Sequence, residues 1–207
     1  MILPVALRRP AGVTAVLAVL VFGALAARYG GESSARWLDR RVQSLVGSSG
    51  PGHSISDIVI AFGNESSVVV LALLLSGLAM VLGHRPLAVL AIVGPGLTGL
   101  ATEFSKPLIG RTIGGEFAFP SGHTGGATAL GIVTTLLLIN VLRTALRTTA
   151  VLLTIGAAIS GGTMAFALIA DHDHYPTDTV GGFCVAVALV LVSALAIERW
   201  AERADQR

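Results

Sequence analysis

Charge is scarce in this sequence. Asp, Glu, Lys and Arg together make 13% of its 207 residues, where an ordinary soluble domain carries roughly 25%. Extended disorder needs the opposite balance and is excluded over most of the chain. A single cysteine, Cys184, lies in an apolar run. There is therefore no disulfide framework and no zinc knuckle. The formal net charge of +2 supplies no basic footprint for nucleic acid. Aromatics are few at 5%, whereas hydrophobic residues reach 53% and glycines number 25. A soluble core of this size could not hide that much apolar surface. Small residues in abundance suit closely packed transmembrane helices. The composition specifies a membrane protein.

Nearly uncharged runs recur at about 11–28, 66–83, 87–104, 123–141, 149–170 and 179–198. Each approaches the roughly 20 residues a helix needs to cross hydrocarbon. None alternates strictly as a barrel strand would. The expected fold is all-α: one membrane domain over 1–207, a polytopic bundle of six transmembrane helices. The long connection 29–65 carries turn signals at Gly30-Gly31 and at residues 48–52. Between them, 35–46 is amphipathic, with Trp37, Val42 and Leu45 available for one interfacial face. Residues 55–62 can extend the second span up to a break at Gly63-Asn64. Arg8-Arg9, an apolar stretch and Ala24-Leu25-Ala26 resemble a secretory signal. The stretch is long for a signal core, so an uncleaved first helix is expected.

Basic residues set the orientation. With a cytoplasmic N-terminus, Arg8, Arg9, Arg85, Arg143, Arg147, Arg199, Arg203 and Arg207 lie inside. Four of the six basic residues then outside belong to the long connection or its edge. Both termini are thus expected in the cytoplasm, with the loops 105–122 and 171–178 on the external face.

Those two loops hold nearly all the reactive side chains. The first contains Lys106, the sole lysine, Arg111, and Pro120-Ser121-Gly122-His123 entering the fourth span. The second runs Asp171-His172-Asp173-His174-Tyr175-Pro176-Thr177-Asp178. Free N–H groups and the positive dipole end at a helix start favour phosphate near Ser121, Gly122 and His123. Lys106 and Arg111 add positive charge, Arg111 with a fork suited to phosphate oxygens. Asp178, four residues after His174, can hold one imidazole nitrogen and sharpen the other as a nucleophile. His123 can then serve as general acid for the leaving oxygen.

This set of residues resembles the three signature motifs of the type-2 phosphatidic acid phosphatase superfamily over roughly residues 60–198. The resemblance implies cofactor-free and metal-independent hydrolysis of a lipid phosphate or prenyl (pyro)phosphate. By motif position His174 would be the nucleophile, Asp178 its partner and His123 the general acid. Lys106, Ser121 and Gly122, with Arg111 beside them, would bind the phosphate. The expected partners are that lipid substrate and the surrounding membrane lipids, and the expected location is a bacterial plasma membrane with the site facing outside. Two departures stand out. Ile113-Gly114 occupies the place of the family's Arg-Pro, and Ala167-Leu168 that of its Ser-Arg. Loss of such electrostatic contacts costs factors of about 10²–10³ each in rate. A phosphotransferase to a lipid or glycan hydroxyl and an inactive lipid-phosphate binder or transporter are therefore the competing readings.

Other features read more plainly. Asp171, His172 and Asp173 form a solvated acidic loop in preference to a chelate, because a short extended run points alternate residues to opposite sides. Gly125, Gly126, Gly161, Gly162, Gly181 and Gly182 are read as helix-packing positions. Asn64-Glu65-Ser66 matches a glycosylation acceptor but abuts a span. Trp37 and Trp200 are read as interface anchors.

Overall fold

The computed structural model describes residues 2–47 and 54–205. The expected turn at 48–52 and Arg207 lie outside the described residues. The architecture is all-α, apart from one small hairpin. Among the described residues, five helices are long and apolar enough to cross a membrane: α1 (Val5–Tyr29), α5 (Arg85–Ile109), α6 (Gly122–Leu142), α7 (Leu146–Ala170) and α8 (Pro176–Asp205). The short α2 (Trp37–Val46) follows α1.

The sixth expected span is met by a bent pair of helices, apolar enough together to cross or re-enter a membrane. The helices α3 (Ser54–Gly63) and α4 (Glu65–Val81) meet at Asn64 with a bend of 67°. The break has a local cause. Asn64 is extended, with φ −60° and ψ 146°, and stands at the N-cap of α4. Gly63 is pressed into the bundle: a Cβ there would lie 2.7 Å from Cε of Met164 and 3.1 Å from Cβ of His123. A larger residue here would require Met164 to move and would crowd His123.

The core runs through α5, α6 and α8, with Leu90, Val133, Leu136, Ala186 and Val190 almost fully enclosed. Glycines set the closest approaches. A Cβ on Gly182 would fall 2.1 Å from the carbonyl oxygen of Ser121, and one on Gly181 would strike the Phe119 ring. Gly125, Gly126 and Gly161 likewise face close neighbours, but Gly162 meets open space and does not fit the packing role expected of it.

The chain ends lie together. Glu198 Oε2 accepts from the backbone N–H of Ile2 at 2.6 Å and of Leu3 at 3.2 Å. Arg8 pairs with Glu198 at 3.3 Å and Glu202 at 2.6 Å. From there α1 rises 25 residues, about 37 Å at 1.5 Å per residue, and ends with Tyr29 against Arg111. The two loops rich in reactive residues are thus at the opposite end of the bundle from the termini.

Candidate active site

The first loop begins where α5 ends. Gly110 closes that helix in the left-handed region, φ 70°, its N–H donating to the carbonyl of Lys106. A two-stranded antiparallel hairpin follows, β1 (Thr112–Ile113) with β2 (Glu116–Phe117), turned by Gly114 and Gly115 at φ 59° and 96°. Positive φ at both turn positions matches the right-handed twist of the strands. Below the hairpin, Ala118 N–H donates to the Arg111 carbonyl at 2.9 Å.

The side chain of Arg111 is fully buried. Its Nη1 donates to Thr177 Oγ1 at 2.5 Å and to Asp178 Oδ1 at 2.6 Å. Its Nη2 donates to Asp39 Oδ2 at 2.6 Å. The guanidinium also sits over the rings of Tyr29 and Tyr175, 4.7 and 4.6 Å from their centroids, a geometry that favours a desolvated cation. Arg111 therefore stands behind the site with its fork engaged by carboxylates, not on the accessible surface where a phosphate clamp is expected. A planar fork fits carboxylate and phosphate alike, so the residue type alone does not distinguish the two uses.

Asp178, also fully buried, uses its other oxygen, Oδ2, to accept from Tyr175 N–H at 3.0 Å. The same oxygen is 3.8 Å from His174 Nδ1. That is beyond hydrogen-bond range, and Nδ1 is buried with no hydrogen-bond partner among the described residues. The turn before His174 is held by the carbonyl of Leu168, which accepts from Asp173 and His174 N–H at 3.0 and 3.4 Å. Leu168 and Ala167 are buried apolar residues, so that position supplies packing and no charge.

His123 faces His174 with 6.5 Å between ring centroids and a 60° interplanar angle. Its Nε2 is 2.9 Å from Asn64 Oδ1. Asn64 thus occupies the break between α3 and α4 and contacts one of the two histidines, a role that its reading as a glycosylation acceptor missed. Ser121 is fully buried, and its Oγ accepts from Thr124 N–H at 3.3 Å as the cap of α6. In the cap the oxygen acts only as an acceptor, from Thr124 N–H and Thr124 Oγ1, so the cap does not use its O–H donor. The N–H groups of Gly122 and His123 belong to the first helical turn, which has no intrahelical acceptors for them, and can serve an anion. Lys106 pairs with Glu103 one turn earlier on α5.

Lys106, Glu103, Gly122, His123 and Asn64 line one groove of about 890 Å³ between α4, α5 and α6. Its walls continue along the bundle as Val69, Leu73, Ile92 and Leu100, side chains that stay exposed on the lateral surface. Of the second loop's acidic run, His172 and Asp173 are exposed, and His172 has φ 63°. Among the described residues no three His, Cys, Asp or Glu side chains form a group that could hold a metal ion.

The sequence reading brought together His123, His174, Asp178 and Lys106, and the structure gathers these at one end of the bundle. It missed Asp39, Thr177 and Asn64. Asp39 lies 72 residues before Arg111, in a segment noted only for its apolar face. No local pattern marks such a pairing.

No curated protein and no solved structure gives a match to the chain. A family model does: that of the PAP2 superfamily, over residues 67–202. The family's coarse activity is phosphatase chemistry on lipid phosphates at a membrane. The span matched contains both facing histidines, Asp178, Lys106 and the whole of the groove's apolar wall, and on that basis the chain belongs to the PAP2 superfamily.

Proposed function

We propose that this protein hydrolyses a lipid phosphate or prenyl (pyro)phosphate through a phosphohistidine on His174, with no metal or cofactor. The observation that carries this reading is a laterally open, largely apolar groove with His123 at its polar head, where His123 in turn faces His174 across 6.5 Å. Such a groove takes a hydrocarbon chain from the bilayer while the phosphate rests at its head.

In the first step His174 Nε2 attacks phosphorus, and the bond from phosphorus to the lipid oxygen breaks. His123 gives its proton to the departing oxygen. Lys106 and the first-turn N–H groups of Gly122 and His123 hold the phosphoryl oxygens as charge shifts. Asp178 stabilises the positive imidazole through Nδ1–H, and Arg111 behind it keeps the carboxylate aimed. In the second step water loses a proton to His123 and attacks phosphorus, the N–P bond breaks, and inorganic phosphate leaves His174 free. By the distribution of basic residues this end of the bundle faces outside.

Replacement of the motif arginines by Ile113 and Leu168, with Arg111 already engaged by carboxylates, favours a second reading: the same phosphohistidine passes its group to a lipid or glycan hydroxyl. Phosphate release by the purified protein in detergent with EDTA, across lipid mono- and pyrophosphates with and without such an acceptor, tests both. The expected result is release that survives chelation and falls by at least about 10³-fold in His174→Ala. Full turnover in that variant overturns the mechanism. Transfer without release selects the second reading.

A further inference from the structure

We infer that Asp39 is a positioning residue for the reaction, acting through Arg111 and the start of α8 to fix Asp178 against His174. The inference rests on the phosphohistidine chemistry proposed above.

Asp39 lies outside the segment matched by the family, which starts at residue 67. It sits on α2, a short helix that leaves Trp37 and Leu45 exposed. On an element of this kind a carboxylate is expected in solvent, yet Asp39 has no accessible surface. Burying an ion in this way is strongly unfavourable unless partners replace its hydration. Asp39 has such partners on both oxygens. Oδ1 accepts from Thr177 N–H at 3.1 Å and Thr177 Oγ1 at 2.7 Å. Oδ2 accepts from Arg111 Nη2 at 2.6 Å and reaches Arg36 N–H at 3.4 Å.

These contacts converge on one helix end. Thr177 follows Pro176, the first residue of α8, so its N–H is one that the helix itself leaves without an acceptor. Asp39 supplies that acceptor from another element, and its negative charge meets the positive end of the helix. Asp178 is the next residue. Its Oδ1 is held by the same guanidinium that Asp39 holds from the other side. Asp39, Arg111, Asp178 and His174 thus stand in series. The first three are fully buried and the last is 12% exposed. Without Asp39, Arg111 keeps a single carboxylate partner and the first turn of α8 loses its cap. Asp178 keeps its bonds from Arg111 Nη1 and Tyr175 N–H, but the guanidinium that aims its Oδ1 is then anchored from one side only.

The test uses the full chain in detergent, with Asp39→Asn as the main variant because it keeps an acceptor for Thr177 and removes the charge. Two quantities are read. One is the rate of carbethoxylation of His174 by diethyl pyrocarbonate, taken by mass spectrometry relative to exposed His172 in the same molecules. It needs no turnover. The other is kcat against KM on the best lipid. The expected result is a fall of about threefold or more in the His174 to His172 rate ratio, since a misaligned carboxylate leaves a weaker nucleophile. With it kcat drops about tenfold while KM stays within about twofold, as for other residues that orient a reacting group. Added to Asp178→Asn, the substitution lowers kcat no further. A ratio and a kcat equal to those of the parent overturn the inference, whatever happens to the thermal midpoint. If Asp39→Asn does not fold, Asp39→Glu keeps the charge, displaces the carboxylate, and is judged by the same ratio. If the parent releases no phosphate from any lipid, the phosphatase reading fails. The rate ratio still decides Asp39.

Discussion

Ionic clusters close both ends of this bundle, and they are built differently. At the site end, one guanidinium lies between two carboxylates, all three without accessible surface, with tyrosine rings on the cation. At the terminal end, Arg8 bridges Glu198 and Glu202, but Arg8 is 23% exposed and Glu202 48%. The same contrast appears in the packing. Next to the site, Gly182 touches the Ser121 carbonyl so closely that no side chain fits, whereas a Cβ on Gly12 would meet only Leu195, at 3.9 Å. The Arg111 cluster is dry and tightly specified; the clasp at the terminal end is partly open to solvent. Fixed geometry is concentrated where a phosphoryl group would be handled, and the other end needs only to stay closed.

The sharpest way to break this contrast is to remove the central cation of the dry cluster. Arg111→Ala leaves two buried carboxylates uncompensated, and a loss of about 3–5 kcal/mol is expected. Thermal unfolding in detergent checks it, and a midpoint unchanged from the parent would mean that water reaches the cluster. Gly182→Ala comes next. It forces α8 away from α6 at a cost of about 1–3 kcal/mol, and the loss of stability should be accompanied by a lower kcat. Gly12→Ala is the matched control and is expected to be neutral or to gain up to about 1 kcal/mol from helix propensity. Smallest of all, Arg8→Ala removes a pair partly open to solvent and costs about 1 kcal/mol or less. Raising the salt concentration during melting shrinks the Arg8 effect and leaves the Arg111 effect nearly intact. Equal salt sensitivity at the two ends would erase the distinction.

The sequence disclosed the parts of this molecule that depend on local pattern. Apolar length locates the helices, although α1 and α5 extend beyond the expected limits and α4 alone is shorter than a span. The position of Pro120-Ser121-Gly122-His123 at a helix start, and the four-residue step from His174 to Asp178, can be read without coordinates because helical geometry fixes them. Arg111 shows where that reading stops. Its residue type announces an anion partner, and only the fold decides that the anions are Asp39 and Asp178. The contacts of Asp39 and Asn64 were not legible, although the break at Gly63-Asn64 was. Each reaches its partner across a long stretch of chain, and neither lies in a spacing that an isolated helix or strand would impose.

The break at Asn64 affects how the protein sits in lipid. The 17 residues of α4 rise about 25 Å, less than the roughly 30 Å of hydrocarbon in a typical bilayer. Beyond that height the chain bends away as α3, so an upright α4 starting at the inner hydrocarbon edge would hold the polar groups at the bend below the surrounding headgroups unless the bilayer thins to meet them. On the proposed function, a lipid reaching His123 would then sink relative to its neighbours, or the membrane would dimple around the protein. Either way, the thickness of the host membrane enters the energetics of substrate capture.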